Sequence, residues 1–150
     1  MENKPFALLI KDHEKVKDLI QRLLQTSASA KRQRRELLGS LKAELELHEK
    51  LEERLLYPPL EHRKATRDLT LEAYEEHHVV DMLLDELESL DFDDQAWKAK
   101  LTVLQENLEH HIAEEEQGLF PKAQETLSAQ QLEGIEREIA DAKKAPDPKR

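Results

Sequence analysis

One stretch of this chain occurs twice. Residues 48–58 read His-Glu-Lys-Leu-Glu-Glu-Arg-Leu-Leu-Tyr-Pro, and residues 111–121 read His-Ile-Ala-Glu-Glu-Glu-Gln-Gly-Leu-Phe-Pro. At an offset of 63 they share His48/His111, Glu52/Glu115, Glu53/Glu116, Leu56/Leu119, an aromatic at Tyr57/Phe120, and Pro58/Pro121. The match runs upstream through Leu38/Leu101, Leu41/Leu104 and Leu45/Leu108. Each copy sets a His four residues before a Glu on a segment without proline. On an α-helix such residues share a face about 5–6 Å apart. Two such pairs facing each other offer four ligands, with the carboxylates able to bridge two metals. The repeat points to a helical bundle closed around a two-metal site.

A second echo lies upstream of each copy. His13, Val16, Ile20 and Leu23 are spaced as His77, Val80, Leu84 and Leu87, at an offset of 64. This is the apolar face of an amphipathic helix with a His in register with the core. The chain therefore reads as two helix pairs: 6–26 with 31–57, then about 70–90 with a helix running to about Leu119. Asp93 or Asp94 is available as its N-cap. Ser128 and Gln131 look like a capping box opening a short fifth helix at about 128–143. Pro58 and Pro59 are read as a stop, with a loop over 58–69. The expected fold is all-α: an antiparallel up-down-up-down four-helix bundle over residues 1–144, with a disordered tail at 145–150.

Depth along the helices brings the inward polar residues together. His13 lies 7 residues after Phe6 and His77 lies 7 after Thr70, while His48 and His111 each lie 10 before a proline. In such a bundle the starts of helices one and three meet the ends of helices two and four. All four imidazoles then fall about 10–15 Å from the same end. The candidate metal ligands are His13, His48, Glu52, His77, His111 and Glu115. The apolar steps select His77 over His78, and the repeat selects His111 over His110. His62 reads as an exposed loop residue. Glu49, Glu53, Glu114 and Glu116 read as solvated carboxylates, Tyr74 as a core residue, and the Lys31–Arg35 cluster as a solvated helix start.

Imidazoles and carboxylates together suit first-row transition metals, whereas Mg²⁺ and Ca²⁺ prefer oxygen cages. Two bridging carboxylates and four imidazoles fill about eight of the ten to twelve positions of two such ions. The remainder is open to a bridging oxygen and a small exogenous ligand. A chain with no cysteine offers no thiolate and no disulfide. A net charge of −10 disfavours nucleic acid and anionic membrane surfaces. No apolar run is long enough to span a bilayer and no signal peptide is visible, so a cytoplasmic location is expected.

The order His, His-x-x-x-Glu, His, His-x-x-x-Glu, with the endings Leu-Leu-Tyr-Pro and Gly-Leu-Phe-Pro, resembles the hemerythrin-like domains, often called HHE cation-binding domains. The resemblance covers roughly residues 6–143. It implies two non-haem iron ions per chain, carboxylate- and oxo/hydroxo-bridged, held by the six residues named above. The implied partner is a small diatomic or peroxide ligand, with a role in the oxygen, oxidative or nitrosative stress response. The alternative is an iron- or oxygen-responsive interaction module without turnover, its protein partner unknown. The pattern departs from the oxygen-carrying hemerythrins, which place a second His one turn from the third-helix His. Here that spacing holds Ala73 and Asp81. The chain is more similar to the bacterial four-His, two-Glu members. Ferritin-like iron storage fits less well, because such bundles use Glu-x-x-His with carboxylates in the majority.

Overall fold

The apolar stripes assemble into four antiparallel rods in a computed structural model that describes residues 4–144. A 3₁₀ turn (Lys4–Phe6) leads into α1 (Ala7–Leu24), the first rod. The second is α2 (Lys31–Leu51), a π-helical turn (Glu52–Leu56) and α3 (Tyr57–Glu61). The third is α4 (Arg67–Ser89). The fourth is α5 (Gln95–Glu114), a second π-helical turn (Glu115–Leu119) and α6 (Phe120–Thr126). A fifth helix, α7 (Ala129–Lys144), lies against the opening 3₁₀ turn and the first π turn. Around the ring α1 packs on α2 and α5, and α4 packs on α5 and α2. Among the described residues every regular element is a helix, and no helix is long and apolar enough to cross a membrane. The expected tail at 145–150 lies outside the described residues.

Each rod buries the face that its periodicity marks. Leu9, Val16, Ile20 and Leu23 of α1 are buried, as are Ala73, Val80, Leu84 and Leu87 of α4. Two apolar clusters result. One runs from Val16 and Leu108 to Leu23, Leu87 and Trp97; the other gathers Phe6, Leu9, Leu56, Leu60 and Phe120. The polar residues of the site lie between them. Two helix starts carry side-chain caps. Asp94 accepts a bond from Ala96 N at 2.7 Å, which satisfies one of the free amides at the start of α5. The amide of Ser128 donates to Gln131 Oε1 at 2.9 Å, and the amide of Gln131 donates to Ser128 Oγ at 3.0 Å. That reciprocal pair is the expected capping box.

The prolines do not stop their rods. Pro58 and Pro59 lie within α3 and Pro121 within α6, so the loop expected at 58–69 shrinks to 62–66 and the fourth rod extends to Thr126. A proline inside a regular α-helix lacks an N–H and its ring strikes the carbonyl four residues back. Here the residues before Pro58 and Pro121 bond five residues back instead: Tyr57 N to Glu52 O and Phe120 N to Glu115 O. The widened turn leaves room for the ring. It also inserts one residue into the register. The buried stripe therefore passes to Leu56 rather than to Leu55, where a regular α-helix would carry it seven residues after His48. By the same step Tyr57 and Phe120 turn inward, each 0% exposed.

The basic cluster is not a uniformly solvated face. Arg34 is buried, donating to Thr26 Oγ1 at 2.8 Å, to Thr26 O at 3.1 Å and to Phe92 O, with its guanidinium 4.4 Å from the Trp97 ring centroid. It ties both interhelical connections at that end to one side chain. Lys31 pairs with Asp93 and Arg32 with Glu36, each at 3.2 Å.

The register shift is directly testable. Leu56→Ala is expected to cost about 2–4 kcal/mol in urea unfolding, and Leu55→Ala less than about 1 kcal/mol. A regular α-helix through Pro58 would reverse that order.

Candidate metal centre

The six inward residues meet in one layer, and each is at most 4% exposed. Ridge spacing on α2 and α5 puts His48 beside Glu52 and His111 beside Glu115; α1 and α4 bring His13 and His77 against them. The Nε2 atoms of the four imidazoles all face the two carboxylates. Glu52 has His48 Nε2 at 3.1 Å from one oxygen and His77 Nε2 at 3.0 Å from the other. Glu115 has His13 Nε2 at 3.1 Å from one oxygen and His111 Nε2 at 3.4 Å from the other. The ring pairs His13/His48 and His77/His111 have the same centroid separation, 4.9 Å. Two four-residue groups follow. His13 and His48 converge with Glu52 and Glu115, and so do His77 and His111, each group with its ligand atoms within 4.8 Å of one another.

The donor geometry fits cations better than it fits internal hydrogen bonding. His48 Nε2 and Glu52 Oε2 are 3.1 Å apart, yet neither makes a hydrogen bond, and His111 Nε2 makes none. Buried polar atoms are ordinarily hydrogen-bonded; His13 Nε2 and His77 Nε2 bond to Glu115 and Glu52, and the three unbonded atoms are left with capacity for a cation.

A second layer of carboxylates orients the imidazoles. His13 Nδ1 donates to Glu116 at 2.7 Å, His48 Nδ1 to Asp12 at 2.9 Å, His77 Nδ1 to Glu53 at 2.7 Å and His111 Nδ1 to Glu76 at 2.5 Å. With Nδ1 committed as donor, the neutral ring presents its Nε2 lone pair inward, and the carboxylate raises its basicity. The layer corrects two sequence expectations: Glu53 and Glu116 are bonded to imidazoles and are not a solvated face. Asp12 and Glu76 had no role in the sequence reading. The signal was present, since an acid precedes both His13 and His77 and follows both Glu52 and Glu115. Asp12 also accepts a bond from Lys143 of α7 at 2.6 Å, which links the fifth helix to His48.

Tyr57 is the other residue the sequence reading left without a role at the site. Its hydroxyl lies 3.0 Å from Glu52, within hydrogen-bond reach of Glu115, and 3.3 Å from His77 Nε2. Burial and the two carboxylates hold its pKa well above the ordinary 10, so it remains a donor. Its counterpart Phe120 stacks over His13 with no hydroxyl, centroids 6.1 Å apart. That single-atom difference in the repeat was the available clue. Tyr74 packs edge-on against Tyr57 and donates to Glu61 at 2.8 Å, away from the site. His62, His78 and His110 are exposed, and Glu114 is half-buried near His110. Glu49, expected to be solvated, is buried; desolvation and Asp81 push its carboxyl up to about 10.

Charge at the centre is balanced by protons in the metal-free protein. Burial would raise Glu52, but His48, His111 and His77 outweigh it and hold its carboxyl well below 4.5. Burial and Glu52 would raise Glu115, but His111 and His13 hold it below 4.5. Burial works against charging His48, yet attraction to Glu52 and the bond to Asp12 lift it to about 10. His77 and His111 are also raised, against their own desolvation, by Glu52 and Glu115 respectively. A cation at Nε2 has to displace these protons.

Comparison with known proteins agrees with this chemistry. Residues 4–123 match the Hemerythrin HHE cation binding domain family. The chain is 30% identical over 132 residues to a protein named DNA nickase from Nostoc sp. (strain PCC 7120 / SAG 25.82 / UTEX 2576). The match takes in 88% of this chain but only 37% of that protein, so the chain spans little more than a third of that relative's length. The fold is similar to the crystal structure of a hemerythrin HHE cation binding domain-containing protein from Mycobacterium kansasii, with a TM-score of 0.78. That match has 24% identity and covers 91% of this chain and 83% of the other.

The raised histidines give the metal-free protein a defined pH dependence. The folded state holds the His48 proton more tightly than the unfolded chain does. Its stabilisation is fully present below pH 6.5 and lost as pH rises toward about 10. Urea midpoints of the metal-free protein are expected to fall over that window, and His48→Gln to flatten the fall. A midpoint that rises from pH 6.5 to 10 would contradict the imidazolium–carboxylate arrangement.

Proposed function

We propose, from the premise that this chain belongs to the hemerythrin HHE cation-binding domain family, that it holds two iron ions and binds or reacts with a small oxidant: O₂, peroxide or NO. His13, His48 and one oxygen from each of Glu52 and Glu115 would hold one ion. His77, His111 and the two remaining oxygens would hold the other. The observation that carries this reading is the pairing of each carboxylate oxygen with a different imidazole Nε2 at 3.0–3.4 Å. Iron at these positions would supply one-electron chemistry and positions open to a small ligand.

The remaining steps belong to the protein itself. Asp12, Glu53, Glu76 and Glu116 keep the imidazoles oriented and Nε2 free to ligate. Tyr57 holds a proton between Glu52 and Glu115, on the side of the apolar cluster built by Phe6 and Leu60. The two apolar clusters keep bulk water out of the layer, which strengthens every electrostatic interaction within it. The oxidant is small because the enclosed space beside the imidazoles is small, about 10 Å³. A cytoplasmic stress-response role is part of this reading.

A second reading is a metal-responsive interaction module without turnover. The Lys143–Asp12–His48 chain supports it, because it ties the position of α7 to one histidine of the centre. The relative named DNA nickase suggests a nucleic-acid substrate, which the charge of this chain disfavours. Its net charge is −10, and Lys31, Arg32 and Arg34 of its basic cluster are engaged within the molecule.

Metal content decides the matter. Protein from iron-replete cells is expected to carry about two irons per chain, as many as two four-ligand groups accommodate. The double variant Glu52→Ala/Glu115→Ala should lose them while keeping its helicity. The loaded parent should change its absorption on exposure to O₂, peroxide or NO. A folded parent without metal, or a loaded one inert to all three, would overturn the proposal.

A further inference from the structure

On the side away from Tyr57 the four imidazoles wall a cavity of about 10 Å³, the space of roughly one water. Two surface grooves flank it. One, of about 450 Å³, lies between α2 and α4; the other, of about 410 Å³, lies between α1 and α5. They are counterparts in the repeat: Glu49 of the first stands where Ile112 stands in the second, and Asp81 where Lys17 stands. Their inner walls differ in chemistry. The second groove is separated from the cavity by Val16, Leu108 and Ile112, all apolar. The first groove and the cavity share one residue, Glu49.

Glu49 is only 7% exposed and lines both the cavity and the groove, whose wall also carries the exposed Asp81. A buried carboxyl is costly to keep where an apolar residue would pack, so a polar group at this one shared position is not explained by packing. A hydrogen-bonding solute crossing the apolar wall would shed its partners with nothing to replace them. At position 49 it meets a flexible side chain that can exchange hydrogen bonds with it and swing into the groove.

We propose that Glu49 is the gate through which small polar or anionic solutes pass from the α2–α4 groove to the cavity facing the four histidines. The proposal rests on the metal-centre reading above. A gate lies on the path and not at the destination. Altering it changes entry and exit by the same factor and leaves the equilibrium affinity alone.

Azide binding to the iron-loaded protein, followed by stopped-flow absorption, reads this property. Glu49→Ala removes the plug and is expected to raise both rate constants by about ten-fold; Glu49→Leu replaces it with an apolar one and should lower both about ten-fold. Kd should stay within about two-fold in each, at parental iron content. Unchanged rate constants in both variants overturn the gate. So does a change in Kd carried by dissociation alone, which would place Glu49 at the binding position. A loaded parent that binds no azide overturns it as well.

A metal-independent arm uses the absence of cysteine from the chain. In metal-free Glu49→Cys, a small methanethiosulfonate reagent should label the single thiol in the folded state. Labelling only in urea would show that the groove does not reach position 49. A parent without iron is a failure of the functional reading, visible in its metal content, and this arm still decides access.

Discussion

Two carboxylates buried at the centre of an apolar bundle set the terms for everything around them. Glu52 and Glu115 are 0% and 1% exposed, and among the described residues no lysine or arginine is within salt-bridge reach of either. Bare carboxylates there would cost several kcal/mol each. Imidazoles offset the cost, and they are in turn held by Asp12, Glu53, Glu76 and Glu116 nearer the surface. Charge thus alternates outward from the centre, carboxylate to imidazole to carboxylate. In a family named for cation binding, metal ions take over from protons the task of neutralising that core.

The internal repeat supplies near-equivalent halves, and the exceptions to it give the halves different surroundings. A phenol stands at Tyr57 where Phe120 has none. Glu49 faces the cavity where the counterpart is Ile112. Lys143 reaches Asp12, while among the described residues no lysine pairs with the equivalent Glu76. The His77/His111 half is therefore touched by a hydroxyl, and the His13/His48 half is tied to α7. Two metal positions with the same ligand types would differ in proton supply and in mechanical coupling.

The π turns are the mechanical link between sequence and site. Each begins at one of the two central carboxylates and ends just before the aromatic and the proline. Without the inserted residue, the rod would present Leu55 to the core and Tyr57 would not meet Glu52. The widened turn that accommodates the proline also sets the direction of the Tyr57 hydroxyl toward Glu52.

What could be read from residues alone was whatever depends on one helix at a time. The 3.6-residue period marked Leu9, Val16, Leu84 and Leu108 as core and put six polar residues on inward faces. Rise per residue placed those six at one depth, and the fold class followed from two matching helix pairs. The remaining features arise between rods, where a one-dimensional period carries no information. Asp12, Glu53, Glu76 and Glu116 lie beside the inward stripe and find their histidines only because a neighbouring rod is 8–10 Å away. Glu49 is buried by α4, not by its own helix, and Arg34 by the turns at Thr26 and Phe92. The prolines read as stops because the α-helical rule forbids them, and only the packed bundle makes a widened turn the lower-energy way to continue.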